Sequence, residues 1–185
     1  MTTEHVTETR LPVLTPPMSN SRDHIEGPEW APASLVVFGS YGTPASRPLG
    51  RLLQQLREAH PASVRVAWRH LPDTRTHARA AALALAAEAA ATQGRFWSMH
   101  RELLAMRHDD PEDLHAAARR AGVDYYRLLD RMRARVGADR ILSDRASAGA
   151  SAVVSAPTLF VNGERFSGDL DAASVWAALQ TAAPG

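Results

Sequence analysis

Apolar residues recur along this chain in distinct rhythms, and each rhythm marks an element. Ser34 to Gly39 is apolar and β-branched through Leu35-Val36-Val37-Phe38, the pattern of a strand buried on both faces. From about Arg47 to Ala59, Leu49, Leu52, Leu53 and Leu56 recur at spacings of three and four, which places them on one face of a helix. Pro44 suits the first turn of that helix, where a missing N–H costs nothing. Val64, Val66 and Trp68 then alternate with Arg65, Ala67 and Arg69, predicting a second strand. Strand, helix and strand in this order predict a right-handed parallel crossover.

From Thr76 to about Val154 the pattern is helical throughout. Ala78 to Thr92 is alanine-rich and apolar on nearly every side, so it should pack closely against its neighbours. Gly94 breaks it, and Phe96, Trp97, Met99, His100, Leu103 and Leu104 open a second helix. Pro111-Glu112-Asp113 starts a third that ends at Gly122, and Asp124 and Asp139 begin two short ones, acidic residues standing where the helix dipole favours them. Strands return with Thr158-Leu159-Phe160-Val161, the turn Asn162-Gly163 and the partner Glu164-Arg165-Phe166. Asp169 or Asp171 then caps a terminal helix ending near Ala182.

Composition narrows the chemistry. A chain of 185 residues fits one domain with an insertion. We expect residues 1–21, with Leu11-Pro12-Val13-Leu14-Thr15-Pro16-Pro17, to be a mobile linker and 22–185 to be the folded domain. A net charge of +1 gives no reason to expect nucleic acid or an anionic membrane as a partner. No apolar stretch reaches the ~18–20 residues of a membrane span, and Met1 to Asn20 lacks a secretory signal's apolar core, which predicts a cytoplasmic location. The eight histidines are scattered without a His-Glu-x-x-His pair, so no metal is expected. The eight arginines from Arg119 to Arg145 alternate with aspartates, the pattern of a solvated face. Zero cysteine removes disulfides, thiolate metal sites and cysteine nucleophiles together.

Four separated segments share order and spacing with a known family. They are Arg22-Asp23-His24-Ile25 with Gly27-Pro28, Trp68-Arg69-His70-Leu71-Pro72, Gly94-Arg95-Phe96-Trp97 with Met99-His100, and Ala156-Pro157-Thr158 with Asn162-Gly163. On these the chain resembles the DsbA-type thioredoxin-fold proteins, in particular cytoplasmic members that stand alone or form the tail domain of bacterial sodium/proton antiporters. The resemblance implies an α/β thioredoxin-like fold with a helical insertion, about residues 76–154, between the second strand and a cis-proline loop. The departures fall at the chemistry. Thr43-Pro44-Ala45-Ser46 stands where the family carries Cys-Pro-x-Cys, so Thr43 and Ser46 occupy the catalytic positions. Ser155-Ala156 stands where members more often have glycine and a β-branched residue. Thiol–disulfide exchange needs a thiolate attacking sulfur, and neither hydroxyl supplies one.

Two readings of the degenerate motif follow. In the first, Thr43 is a helix N-cap, accepting a hydrogen bond from the N–H of Ser46 or a neighbour, and Ser46 bonds to backbone. The protein is then a redox-inactive relative without a cofactor. Its groove between Thr43 and the cis-proline implied at Pro157 binds a peptide or partner protein, with Tyr41, Pro44, Ala45, Ala156 and Pro157 as the binding residues. Tyr41 either lines that groove or packs in the core. In the second, Thr43 donates to the thiolate of bound glutathione, as serine does in the similar kappa-class glutathione transferases and chromene-carboxylate isomerases. The helix end supplies an anion site there, and such a charge-assisted bond contributes roughly 1.5–3 kcal/mol. The chain would then be a glutathione-dependent transferase or isomerase.

Overall fold

Leu35 and Val37 face one side of a central sheet, Val36 and Phe38 the other, and all four are buried. The computed structural model describes residues 12–181. Its sheet has five strands in the order β1-β3-β2-β4-β5, comprising β1 (His24–Glu26), β2 (Ala33–Gly39), β3 (Val64–His70), β4 (Thr158–Val161) and β5 (Glu164–Arg165). β2 and β3 are parallel, and the helix α1 (Ser46–Ala59) crosses between them. The remaining pairs, β1 with β3, β2 with β4 and β4 with β5, are antiparallel.

Five helices lie between β3 and β4: α2 (Ala80–Ala91), α3 (Phe96–Ala105), α4 (Pro111–Arg120), α5 (Tyr125–Arg133) and α6 (Ala138–Ala150). A last helix, α7 (Ala172–Thr181), follows the sheet. On one face, Leu49, Leu52 and Leu56 of α1 join Leu35, Val37 and Trp68 of the sheet, with Met99 and Leu103 of α3 and Val175 and Leu179 of α7. Burying each such leucine stabilises the fold by about 1.5–3 kcal/mol. The other face packs Val36, Phe38, Ala67 and Phe160 against Ala148 of α6, together with Val153 and Leu14.

Several expectations need correction. β1 was not foreseen, because three residues with one apolar side chain carry no visible period. Helix α1 begins at Ser46, and Pro44 precedes it in the turn. Pro48 is the proline of the first helical turn, at a position whose N–H has no intrahelical partner anyway. The linker expected over 1–21 is docked where the structure describes it. Leu14 is buried, its N–H donates to Gly163 O at 2.8 Å, and Val13 bridges to Glu164. Residues 1–11 lie outside the described residues. The Asn162-Gly163 turn has positive φ at both positions, 48° and 89°, as a type I′ hairpin requires. Asp171, rather than Asp169, caps α7 by accepting from the N–H and the hydroxyl of Ser174.

Candidate functional site

The motif turn connects the carboxyl end of β2 to the amino end of α1, and its hydroxyls bond inward. Ser46 is 2% exposed. Its hydroxyl donates to the Ser40 carbonyl at 2.9 Å and accepts from the Thr43 N–H at 3.0 Å. The Thr43 hydroxyl lies 3.1 Å from Ser46 Oγ. A hydroxyl has one proton, and that of Ser46 goes to the carbonyl. Thr43 is therefore the donor between the two hydroxyls, and its own proton is engaged inside the protein. Thr43 is not the side-chain cap anticipated for α1. Ala45 holds the N-cap position, and no side chain caps it.

The helix end is also poorer in donors than an ordinary one. Ser46 gives its N–H to Thr43 O at 3.0 Å, and Pro48 has none. Of the first three helical residues, only Arg47 keeps an N–H that can face an anion. Thr43 and Ala45 are half-buried and Pro44 is exposed.

Tyr41 is in the core rather than on a groove. It is 1% exposed, its ring stacks on Trp68 with centroids 5.1 Å apart, and its hydroxyl lies 2.8 Å from His100 Nδ1. Burial pushes the phenol well above its usual range, with the charges of Glu88 and Asp144 adding to the effect. Burial holds His100 well below the usual imidazole range, helped by electrostatic interaction with His70, Arg101 and His24. The phenol therefore donates and the neutral imidazole accepts.

Behind Tyr41 lies a buried polar network whose carboxylate the sequence reading passed over. Glu88 Oε1 is 2.8 Å from His24 Nε2 and 2.9 Å from His70 Nε2, and Oε2 is 3.4 Å from Arg140 Nε. Trp68 Nε1 donates to His70 Nδ1 at 3.2 Å, which leaves the His70 proton on Nε2 to donate to Glu88. The His70 N–H donates to Asp144 Oδ2 at 2.8 Å. Burial pushes Glu88 up, but hydrogen bonds from both histidines and electrostatic attraction to them outweigh it and bring the carboxyl down to about 2. Glu88 is the one charged residue in the twelve-residue apolar run of α2. That isolation was the signal available in the sequence.

Thr158 of β4 pairs with Phe38 of β2, so the loop preceding β4 sits at the same sheet end as the motif turn. The Ala156–Pro157 peptide is cis. Ala156 and Pro157 are half-buried and Ser155 is exposed, while Val154 beside them is 83% exposed. Thr43, Pro44, Ala45, Ala156 and Pro157 thus share one end of the molecule, and Tyr41 and Ser46 lie beneath it. None of the seven lines the cleft that opens between α1 and α3.

A parallel β2–α1–β3 unit, antiparallel β4 and β5, a motif turn heading α1 and a cis proline before β4 define a thioredoxin-fold domain with a helical insertion. The chain belongs to the Thioredoxin family, which it matches over residues 19–181. Among its relatives, the Na(+)/H(+) antiporter NhaA 3 of Salinispora tropica is 40% identical over 172 residues, covering 91% of this chain and 26% of that protein. The Na(+)/H(+) antiporter NhaA of Herminiimonas arsenicoxydans is 33% identical over 174 residues, with 94% and 28% covered. The chain spans about a quarter of the length of these relatives. Among the described residues no helix is long and apolar enough to cross a membrane.

Solved structures share the DsbA-like fold. A thioredoxin-like oxidoreductase from Silicibacter pomeroyi superposes with a TM-score of 0.76 at 24% identity over 86% of this chain and 91% of its own. BdbD from Bacillus subtilis gives 0.77 at 17% identity over 92% and 95%. The present chain has this scaffold and no cysteine, so its own residues cannot carry out thiol–disulfide exchange.

Proposed function

We propose that this protein is a redox-inactive thioredoxin-fold module that binds an extended segment of a partner polypeptide at the end of the sheet shared by the Thr43 turn and the Pro157 loop. The inward-bonded Thr43–Ser46 pair carries this reading. With the Thr43 proton donated to Ser46, activation of a ligand thiolate would break a bond to a buried atom, and the helix end has one N–H to spare. Both features weigh against glutathione as a cofactor and leave the surface as the useful part of the site. Exposed Val154 and Ser155, next to half-buried Ala156 and Pro157, offer apolar contact together with backbone groups. Relatives that bear the name of Na(+)/H(+) antiporters are about four times longer than this chain, which supports a polypeptide as the partner. A cytoplasmic location belongs to the same reading.

The test is a selection from a random-peptide display library, followed by an NMR titration of the labelled full chain. Selected peptides should shift the amides of residues 42–46 and 154–158 and lose binding on Ala156→Asp. They should be indifferent to Thr43→Val. Shifts confined to another surface would reject the reading. Saturable glutathione binding abolished by Thr43→Val would replace it with the transferase alternative.

A further inference from the structure

A cleft of about 480 Å³ opens between α1, α3 and the beginning of β3. That volume is in the range of small-molecule sites. Its lining divides by chemistry. The floor is apolar, built from Leu53 and Leu56 of α1, Val64 and Val66 of β3, and Trp97 and Leu104 of α3. The rim carries Arg47, Arg51, Arg57, Arg101 and Arg107, with Glu26 as the one carboxylate. Glu26 is 2.8 Å from Arg101 Nη1, so that pair is neutral. Among the described residues Arg47, Arg51, Arg57 and Arg107 form no ion pair.

Helical spacing makes this arrangement. Arg47, Arg51, Gln54 and Arg57 follow one another at four-, three- and three-residue intervals and share a face of α1, with Gly50 beside Arg51. The opposing face of α3 offers Trp97, Arg101 and Leu104. The two helices meet at Gly50, where an added Cβ would stand 3.1 Å from Leu104 Cβ. The cleft is therefore framed by a close contact between the α1 backbone and the Leu104 side chain.

Four unpaired guanidinium groups around one cavity repel one another, and an apolar floor gains nothing from a bare inorganic ion. A ligand that answers both features has one anionic head and an apolar body. Guanidinium groups grip carboxylates bidentately. We propose that the α1–α3 cleft binds a small amphiphilic carboxylate of the medium-chain fatty-acid class, taken up as the free monomer. Its chain lies along Leu53, Val66, Leu104 and Trp97, and its carboxylate meets the arginine rim. This surface is separate from the Thr43 and Pro157 end and does not depend on the peptide reading.

The test is calorimetric titration of the full chain with decanoate, decanol and acetate, all below micelle formation, with an NMR titration to map the contacts. Decanoate should bind saturably at one site, with decanol and acetate at least about tenfold weaker, a difference of about 1.4 kcal/mol. Added salt should weaken binding. Shifts should fall on residues 47–57 and 97–107. Arg51→Glu with Arg107→Glu should lower decanoate affinity at least about tenfold, and Arg51→Lys with Arg107→Lys, which keeps the charge but not the bidentate fork, should lower it less. Equal binding of decanol and decanoate overturns the proposal. So does undiminished binding by the charge-reversed variant, or binding to anionic lipid vesicles with none to monomeric decanoate. If charge reversal disturbs folding, the wild-type shift map decides, and shifts away from the cleft are equally fatal.

Discussion

Arg69 holds both carboxylate oxygens of Asp23, Nε to Oδ1 at 2.8 Å and Nη2 to Oδ2 at 3.0 Å, with neither side chain reaching solvent. Its other donors go to Pro16 O, Pro17 O and Ser147 Oγ. All five guanidinium hydrogens are thus used, and one side chain ties the amino-terminal segment, β3 and α6 together. Replacing Asp23 by Ala should cost about 3–5 kcal/mol, because the buried guanidinium is left uncompensated. The paired exchange Asp23→Leu with Arg69→Met should cost less than the sum of the two single changes. Urea denaturation of the four proteins measures the coupling.

Glu88 makes stability depend on acid. Its folded carboxyl, at about 2, lies below the ordinary 4.5. A depressed carboxyl contributes stability that is complete above the unfolded value and disappears as pH falls through the folded one. The contribution is about 3 kcal/mol at neutral pH, lost between pH 4.5 and about 2. The stability difference between wild type and Glu88→Gln should shrink across that interval. A series of denaturation curves against pH measures it.

At the motif turn, Thr43→Val removes one hydrogen bond and should cost about 1 kcal/mol. Ser46→Ala removes the partner of both the Thr43 N–H and the Ser40 carbonyl, and should cost about 1–3 kcal/mol. Thermal unfolding should therefore rank Ser46→Ala below Thr43→Val. The double change Thr43→Cys with Ser46→Cys should confer dithiol oxidation where the wild type has none, read by reduction of insulin disulfides.

Tyr41→Phe keeps the stack on Trp68 but removes the donor to buried His100, at a cost of about 1–3 kcal/mol. The phenol also sets an alkaline limit. Its folded pKa is raised above the usual 10.0, so its contribution is whole below 10 and falls as pH climbs beyond it. The phenylalanine variant should lack that fall, and denaturation between pH 9 and 11 would reveal it.

Long periodic segments were legible in the sequence because they obey one period. The leucines of α1, the apolar run of β2 and the Asn162-Gly163 turn all stand where their patterns put them. The four resemblance segments were legible as motifs but silent about why they go together. In the structure, Asp23 of one meets Arg69 of another, and His24 and His70 meet on Glu88. Those contacts join residues 46 and 64 positions apart, which no local pattern encodes. β1 was hidden for a related reason, since its place is set by pairing with β3 rather than by its own side chains. The inward turn of the Thr43 hydroxyl was equally invisible, because it depends on Ser40 presenting a carbonyl to Ser46. The cleft arginines follow a helical period, yet only the position of α3 makes them a rim.

The hydroxyl pair at the head of α1 has a consequence for physiology. A dithiol at that position exists in two states, and the surroundings choose between them. Threonine and serine have no second redox state. Peroxide, the glutathione pool and thiol-seeking metals find no sulfur there to modify. If this end of the molecule holds a partner, as proposed above, the contact has no thiol through which oxidants or reductants could switch it.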